Sequence, residues 1–384
     1  MGFLNNQKFR GIFFQFLTII GLVAFLWYIT TNMYHNIEQR GITTGFSFMT
    51  DVAGFGISES PIEYNDTTST FFDAFLVGLL NTLYVSFFGI IFASILGLIV
   101  GVGRLSKNYI VSKLATAYIE FFRNIPILPQ ILFWYNVVLA ALPGPRQSIE
   151  LGLNMFLNNR GFYMPKPLAE SGFIFVTISF VLAIGVVWYI RKWAIKRFEE
   201  TGQDFPIILA GLGILIFMPL LTFFISGSPI SFDTPALRGF NFGGGMNFSP
   251  EFIALTFALS IYTATYIAEA IRSGIEAIPK GQKEAAASLG LSNYKALKIV
   301  ILPQAIRIAI PPIINQYLNL TKNSSLATAI GYPELVTVFA GTVLNQTGQA
   351  IEIILVTMSV YLAISLFISL VLNVVNKKME IKGR

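Results

Sequence analysis

The sequence predicts an all-α polytopic membrane protein, a bundle of about eight transmembrane helices. Apolar residues make up 54% of the 384 residues and charged residues only 12%, about half of the roughly 25% typical of soluble domains. The mean hydropathy is +0.66, and apolar runs of about 20 residues recur along the chain. Helices are the expected spanning form because their backbone satisfies its own hydrogen bonds in lipid.

Each apolar run predicts one span. The first has the basic start of a signal peptide, but it lacks a small-residue cleavage site before Thr30, which favours an uncleaved anchor. The second and third exceed the length that a bilayer needs, which predicts tilt or extension beyond it. Pro311 and Pro312 interrupt the seventh, so this span is expected to face protein or a water-filled path. The predicted spans are 11–31, 72–103, 114–142, 171–190, 205–225, 250–271, 304–320 and 350–373.

The distribution of Lys and Arg predicts the orientation. With a cytoplasmic N-terminus, most of the 26 basic residues fall in cytoplasmic segments, as the positive-inside rule requires. Both termini are therefore expected in the cytoplasm. The predicted organisation is an N-terminal helix with an extracytoplasmic loop (1–71), a transmembrane domain (72–373) carrying an inserted helix pair and loops at about 143–248, and a cytoplasmic tail (374–384).

Few residues suit metal or thiol chemistry. The chain has no cysteine and one histidine. His35 follows the first apolar run in a polar stretch, and we interpret it as a solvated loop residue, because a metal site needs several convergent ligands. No metal site is predicted.

The segment between the sixth and seventh spans, residues 272–304, has helical periodicity but is too polar to cross a membrane. Pro279 suits the first position of a helix, and Gly290 suits its C-terminal stop. Ser292 can cap a second helix, which is expected to end at Leu302-Pro303. The segment therefore predicts two short helices at the cytoplasmic face.

The first of these helices has little side-chain bulk on the face formed by Ala285, Ala286 and Ser288. Such a face suits close entry into a groove on another protein, and Glu284 offers a carboxylate at its head. The alternative is an amphipathic helix resting on the membrane surface. Helices of that kind usually bury Leu, Phe or Trp, which residues 280–290 do not present as a face, so docking is favoured.

The same segment carries a family motif. Glu284-Ala285-Ala286, three residues, Gly290, nine residues and then Val300-Ile301-Leu302-Pro303 resemble the EAA loop of bacterial ABC importer permeases. Val300 stands where the motif most often has isoleucine. The resemblance implies that the loop inserts into a cleft of a cytoplasmic ATPase and transmits its closure. The docking residues implied are Glu284, Ala285, Ala286, Gly290, Leu302 and Pro303.

Further stretches narrow the resemblance. Residues 78–106, 120–136, 249–275 and 321–336 resemble the polar amino acid permease family of histidine/glutamine type, and the extended form resembles a general L-amino acid permease subunit. This implies a type I ABC importer transmembrane domain in a bacterial inner membrane, importing polar or general L-amino acids. The implied partners are an ATPase dimer, a second related permease subunit (with a homodimer left open), an extracytoplasmic amino-acid-binding protein and membrane lipid, but no nucleic acid.

The sequence carries no Gly-x-x-x-x-Gly-Lys-Ser/Thr phosphate-binding loop. We therefore expect a transport subunit that is not an enzyme and has no cofactor of its own, with ATP bound by the partner ATPase. A secondary transporter or channel is the alternative, but it requires ion-coupling acids that the centres of the spans lack. An intramembrane enzyme is disfavoured by the lack of cysteine and of a histidine within a span.

Charged residues within spans are costly and suggest function by default. Glu120 with Arg123, and Glu269 with Arg272, are each spaced for an intrahelical ion pair, an interpretation that stands beside a role in transport. Acids at the outer helix ends are predicted to be solvated: Asp73 and Glu251.

A polar segment follows the proline-interrupted span. Its amine, amide and hydroxyl groups could hydrogen-bond a zwitterionic amino acid in the translocation path, or they could form a turn that caps helix ends. Both interpretations remain open. The candidate pathway residues are Lys322, Asn323, Ser324 and Ser325.

Overall fold

The computed structural model describes residues 7–41 and 44–379. It divides into two compact units, Met1–Leu132 with Leu255–Arg384, and Phe133–Ala254. Most of the described chain is helical, and seven of its helices are long and apolar enough to cross a membrane. The predicted class, a polytopic helical membrane bundle, is confirmed.

The first two helices, α1 and α2, extend beyond the predicted spans 11–31 and 72–103. α1 continues past residue 31, so His35 lies in a helix rather than a loop, with its Nε2 3.0 Å from Gln39 Nε2. The bounds are α1 Gln7–Arg40, α2 Phe71–Arg104, α3 Tyr109–Asn124 and α4 Ile127–Phe133, which continues as a π-helical turn, Trp134–Leu139.

The predicted third span, 114–142, is wrong as a single helix. α3 stops at Asn124, and Ile125 is extended (φ −95°, ψ 124°). The cause is Pro126, whose ring disfavours helical backbone at the residue before it. The apolar helix that follows, Ile127–Leu139, is shorter than a span, which leaves seven long helices in the described chain instead of eight.

The second unit contains a helix pair and small sheets. α5 (Phe173–Thr201) packs on α6 (Ile207–Ile225), where a Cβ at Gly211 would lie 3.3 Å from Val187. The polar stretches on either side, expected to be loops, form antiparallel strands of three or four residues. The strands are β1 Ile149–Gly152, β2 Met155–Asn158, β3 Gly161–Met164, β4 Lys166–Ala169, β5 Ile230–Asp233, β6 Ala236–Arg238, β7 Asn241–Gly243 and β8 Met246–Phe248.

The strands pair as one sheet of order β1-β2-β3-β8 and two two-stranded sheets, β4-β5, whose strands are separated in sequence by α5 and α6, and β6-β7. The β1-β2 turn has positive φ at both Leu153 (52°) and Asn154 (57°). This is the backbone of a two-residue turn whose twist matches the strands beside it. In the larger sheet, Phe162 is opposite Phe248, and their rings stack at 6.2 Å.

The second half of the chain returns to helices. α7 is the most interior span, with 72% of its most apolar window buried, whereas the corresponding window of α1 has 0% buried. The bounds are α7 Pro250–Glu276, α8 Lys280–Ser288, α9 Asn293–Lys295, a π-helical turn Ala296–Ile301, α10 Leu302–Asn323, a 3₁₀ segment Ser324–Ile330, a π-helical segment Val336–Val343, α11 Leu344–Thr347 and α12 Ala350–Met379.

Glycines let α2 approach α7 within the first unit. A Cβ on Gly97 would lie 2.7 Å from the Ile267 side chain, and one on Gly101 would lie 3.1 Å from the Ala268 backbone. Small residues at such crossings allow the close backbone packing on which membrane helices depend. α2 is therefore held against the interior helix along its C-terminal half.

The two acids predicted to be solvated at outer helix ends are both engaged. Asp73 forms a reciprocal cap with Thr70 at the start of α2, its Oδ2 accepting from the Thr70 amide at 2.8 Å. Glu251, in the first turn of α7, accepts from the Tyr135 hydroxyl at 2.7 Å. Both residues are half-buried, so each carboxylate is hydrogen-bonded within the chain while part of the side chain stays exposed.

Candidate functional site: the coupling loop and a buried polar network

The helix predicted for docking forms as α8 and ends as its glycine requires. Gly290 has φ +72°, and no heavy atom lies within 4 Å of a Cβ built on it, so its need for glycine is conformational. The Gly290 amide donates to Ala287 O at 2.9 Å, and the Leu291 amide donates to Ala286 O at 3.1 Å. These two bonds form a Schellman cap, which confirms the predicted helix stop.

The exposed face of α8 differs from the predicted one. Ala286 points inward and is only 3% exposed, because it packs α8 against the rest of the loop. Glu284, Ala285 and Ser288 are exposed, and the Ser288 hydroxyl is tied back to Glu284 O at 3.0 Å. Ala286 thus supports the helix from behind, while the others are available to a partner.

Two bulky side chains near the end of α8 are also exposed, and they are not among the predicted docking residues. Leu289 is 80% exposed and Tyr294 is 70% exposed. Both flank the α8 cap, on either side of Gly290. We call the set Glu284, Ala285, Ser288, Leu289 and Tyr294 the loop surface. It combines a carboxylate, small side chains and two large apolar groups.

The second predicted helix does not end at Leu302-Pro303. Ser292 caps it as expected, accepting from the Lys295 amide at 3.4 Å. The chain then passes through the Ala296–Ile301 π-helical turn directly into α10, with Pro303 in the first turn of α10. A proline is tolerated in a first turn because its missing amide needs no helical partner there. Leu302 and Pro303 are exposed.

The loop is anchored to the spans on both sides. Ile278, Ile301 and Ala305 form a buried cluster, and Ile275 of α7 packs against it. A Cβ on Gly274 would lie 2.8 Å from Ala305 O, so the end of α7 and the start of α10 are in backbone contact. These packed residues join the two ends of the segment that carries α8 to α7 and α10.

Ion pairs connect the C-terminal ends of α2 and α7. Glu269 accepts from Arg104 of α2 and from Arg272 of α7, with Arg272 Nε at 3.2 Å from Glu269 Oε1. Arg272 also pairs with Glu276. The predicted Glu269–Arg272 pair is thus confirmed, and Arg104 extends it between helices.

The other predicted pair does not form. Within the described part of the chain no ion pair joins Glu120 to Arg123. The Arg123 guanidinium instead lies 5.2 Å from the centre of the Tyr266 ring, a cation–π contact between α3 and α7.

The candidate pathway residues lie at the junction of α10 with the 3₁₀ segment that follows it: Lys322 and Asn323 end α10, and Ser324 and Ser325 begin the 3₁₀ segment. Ser324 is fully buried and donates to Thr321 O at 2.7 Å, and Ser325 donates to Lys322 O at 2.8 Å. Both hydroxyls thus close the helix end, as one of the two predictions required. Lys322 is exposed and Asn323 is half-buried, so these two remain the candidates for contact with a solute.

Sequence reasoning missed a buried acid nearby. Glu334 has no exposed surface. Its Oε2 accepts from the Val336 amide at 2.9 Å and the Tyr361 hydroxyl at 3.0 Å, and its Oε1 accepts from the Thr337 amide at 2.8 Å and hydroxyl at 3.1 Å. Four donors thus offset the cost of burying the carboxylate. The available signal was a glutamate directly after Pro333 and before an apolar run.

The turn that carries Glu334 is fixed to α2. Asn81 Nδ2 donates to Glu59 O and to Pro333 O, both at 2.9 Å, and Thr82 Oγ1 accepts from the Leu335 amide at 3.1 Å. We call Asn81, Thr82, Glu334 and Tyr361 the buried polar network. It joins α2, the turn and α12 by hydrogen bonds.

Comparison with known proteins gives concordant results. Residues 190–381 match the family described as "Binding-protein-dependent transport system inner membrane component". The chain is 48% identical over 381 residues to the general L-amino acid transport system permease protein AapQ of Rhizobium johnstonii, covering 99% of this chain and 95% of the relative.

Two further relatives span the whole chain. One is the putative amino-acid ABC transporter permease protein YhdX of Escherichia coli, 50% identical over 383 residues, covering 99% of this chain and 96% of the relative. The other is the glutamate/glutamine/aspartate/asparagine transport system permease protein BztB of Rhodobacter capsulatus, 37% identical over 412 residues, with 99% and 96% covered.

Proposed function

This chain belongs to the family of binding-protein-dependent transport system inner membrane components, and we propose that it forms the path by which an ATP-driven importer moves polar or general L-amino acids. It is a multi-pass permease subunit of an ABC importer, a transport component and not an enzyme. The amino-acid cargo is supported by relatives that align over nearly the full chain.

The observation that carries the proposal is the form of the coupling loop. α8 is capped by Gly290, supported from behind by Ala286, and presents Glu284 and Ala285 outward. A rigid helix with an exposed carboxylate and small side chains suits insertion into a cleft. We infer that this cleft belongs to the ATPase, with Leu302 and Pro303 at the base of the inserted segment.

Nucleotide chemistry is assigned to the partner. The sequence has no phosphate-binding loop, so ATP is bound and hydrolysed by a separate ATPase dimer, and this chain uses no cofactor of its own. ATP-driven closure of the ATPase moves α8. The packed contact between Gly274 and Ala305 passes that movement to α7 and α10, and the pathway alternates its access to the two sides of the membrane.

An ABC importer permease works with an ATPase and as a permease dimer. For this chain we propose a heterodimer with a second, related permease subunit, and delivery of cargo by an extracytoplasmic amino-acid-binding protein. The excess of Lys and Arg in alternate loops supports cytoplasmic placement of both termini. Lys322 and Asn323 are the proposed contacts with cargo within the path.

Reconstituted proteoliposomes test the proposal. The chain, its partner permease, the ATPase and the binding protein are co-reconstituted, and uptake of radiolabelled L-amino acids is followed with ATP or with an imposed ion gradient. Uptake that needs ATP supports an importer. Uptake that persists without ATP under a sodium or proton gradient overturns it in favour of a secondary transporter.

A matched pair of variants tests the loop. Gly290→Val places a β-branched residue at φ +72°, a backbone conformation that such residues avoid. Gly290→Asn introduces a residue that tolerates this conformation. We expect Gly290→Val to lose most ATP-driven uptake while it inserts normally, and Gly290→Asn to keep it. Equal uptake by both variants contradicts the role of the α8 cap.

A further inference from the structure

A cavity of about 540 Å³ lies within the second unit, Phe133–Ala254. Its volume falls in the range of small-molecule sites, roughly 300–1,000 Å³. The walls come from the π-helical turn after α4, from strands β3, β7 and β8, and from the first turn of α7. The coupling loop and the buried polar network lie outside the residues that line it.

The cavity has one cationic and one anionic side chain. Arg160 and Glu251 both line it, yet no ion pair joins them, and the Arg160 guanidinium has no carboxylate partner among the described residues. Arg160 is exposed and Glu251 is half-buried, so both charges are accessible to a ligand that carries one charge of each sign, and complementary charges favour such binding. A single ion of either sign would leave one of the two charges unmatched.

The anionic side is held in place. Tyr135 donates to Glu251 Oε1 at 2.7 Å, which fixes the carboxylate but leaves capacity for further donors, since a carboxylate accepts about four hydrogen bonds. Glu251 is half-buried, so a charge brought to it is partly shielded from water.

The strands are braced on the other side. Tyr163 is 3% exposed and donates to Asn241 Oδ1 at 3.0 Å, which ties β3 to β7. The Phe242 ring stacks on Phe156 at 4.7 Å and lies 5.0 Å from the Tyr163 ring. Tyr163 and Asn241 line the cavity beside Arg160, and the packed rings of Phe156 and Phe242 support Tyr163.

We propose that this cavity is an extracytoplasmic binding site for a zwitterionic L-α-amino acid, which it holds before entry into the membrane path. Arg160 binds the α-carboxylate, a pairing for which the guanidinium fork is suited, and Glu251 binds the α-ammonium. Leu139 and Ala140, which also line the cavity, face the cargo side chain. The choice of an amino acid rests on the proposed function, but the pairing of charges does not.

Binding of named probes tests the assignment. The chain is assembled with its partner permease and ATPase in nanodiscs, without the binding protein, and affinity for radiolabelled L-glutamine is measured at equilibrium. Arg160→Gln and Glu251→Gln are each expected to weaken binding about tenfold or more, because each removes a charge-assisted hydrogen bond. Lys166→Gln, a neutralised basic residue of the same unit outside the cavity, is expected to bind as wild type.

Two competitors separate specific loss from misfolding. L-glutaminamide lacks the α-carboxylate, so Arg160→Gln should leave its affinity unchanged; glutaramic acid lacks the α-amine, so Glu251→Gln should leave its affinity unchanged. Selective loss supports the site. Wild-type affinity in both variants, equal loss for L-glutamine and both competitors, or no saturable binding to the wild type overturns it.

The same proteoliposome uptake assay distinguishes failure of the proposed cavity site from failure of the proposed importer function. Uptake by the wild type together with unaltered binding in both cavity variants refutes the site and leaves the importer standing. Failure of the wild type to take up any amino acid with ATP refutes the proposed function itself.

Discussion

Replacement of Glu334 by glutamine is expected to destabilise the protein although it is nearly isosteric. Each carboxylate oxygen accepts from two donors, Oε2 from Val336 and Tyr361, and Oε1 from both groups of Thr337. A glutamine keeps one oxygen and turns an NH2 group toward the other pair, which consists of one backbone amide and one hydroxyl. The hydroxyl can turn to accept from the NH2 group, but the buried backbone amide loses its acceptor.

The magnitude follows from the one lost acceptor. A buried donor without a partner costs about 1–3 kcal/mol. Tyr361→Phe removes one donor and leaves the Oε2 oxygen bound to the Val336 amide, which should cost about 0.5–1.5 kcal/mol. Glu284→Gln changes an exposed acid of α8 and is expected to leave stability unchanged.

Intrinsic tryptophan fluorescence during heating measures the ranking, since the chain has four tryptophans. The apparent Tm should fall most for Glu334→Gln, slightly for Tyr361→Phe and not at all for Glu284→Gln. A Tm of Glu334→Gln equal to wild type, or a fall in Tyr361→Phe as large as that in Glu334→Gln, refutes the reasoning that the paired acceptors hold this turn.

Three further predictions concern packing and coupling. Gly97→Ala should lower the Tm through a cost of about 1–3 kcal/mol, because its Cβ would lie 2.7 Å from Ile267, whereas Gly103→Ala, with 3.6 Å to its nearest neighbour, should not; equal shifts would contradict the α2–α7 crossing. Ala286→Leu should lower the Tm because Ala286 is buried, while Ala285→Leu should keep the Tm and reduce ATP-driven uptake; a reversed pattern would mean that α8 presents the opposite face. Arg104→Met should cost only about 1 kcal/mol, since Glu269 keeps Arg272 and the pair is partly exposed, and a loss of several kcal/mol in thermal unfolding would show that the link does more than brace two helices.

Local signals predicted the helix end at Gly290 and the helix start at Ser292 well. Gly290 and Ser292 act through backbone geometry and capping within four residues of themselves, and the structure has both as expected. Pro303 predicts a helix end, but a proline that ends one helix and a proline in the first turn of another look the same in sequence. The structure places Pro303 in the first turn of α10, which follows the π-helical turn Ala296–Ile301 directly.

In one predicted span, residues 114–142, hydropathy alone gave the wrong helix. Residues 114–142 are apolar enough to predict a single helix, yet Pro126 holds Ile125 in an extended conformation and divides it. The strands of the second unit could not be predicted for a different reason. Runs of three or four residues are too short to establish an alternating pattern, and their pairing depends on turns such as Leu153-Asn154.

The buried polar network depends on contacts that no local pattern contains. Asn81 reaches the carbonyl of Pro333, 252 residues away, and Tyr361 closes on Glu334 from another helix. Ala286 shows the same limit on a smaller scale, since its sequence neighbours do not reveal which side of α8 packs inward. Long-range contacts thus decide the parts of the site that the sequence left open.

Site-directed cross-linking is the direct test of whether α8 docks into the ATPase. The chain has no cysteine, so one cysteine placed at Ala285 can carry a short photoactivated cross-linker as the single labelled position in this subunit. The assembled importer with Ala285→Cys should form a covalent adduct with the ATPase, and Lys166→Cys in the second unit should not. An ATPase adduct from Lys166→Cys with none from Ala285→Cys would contradict the account.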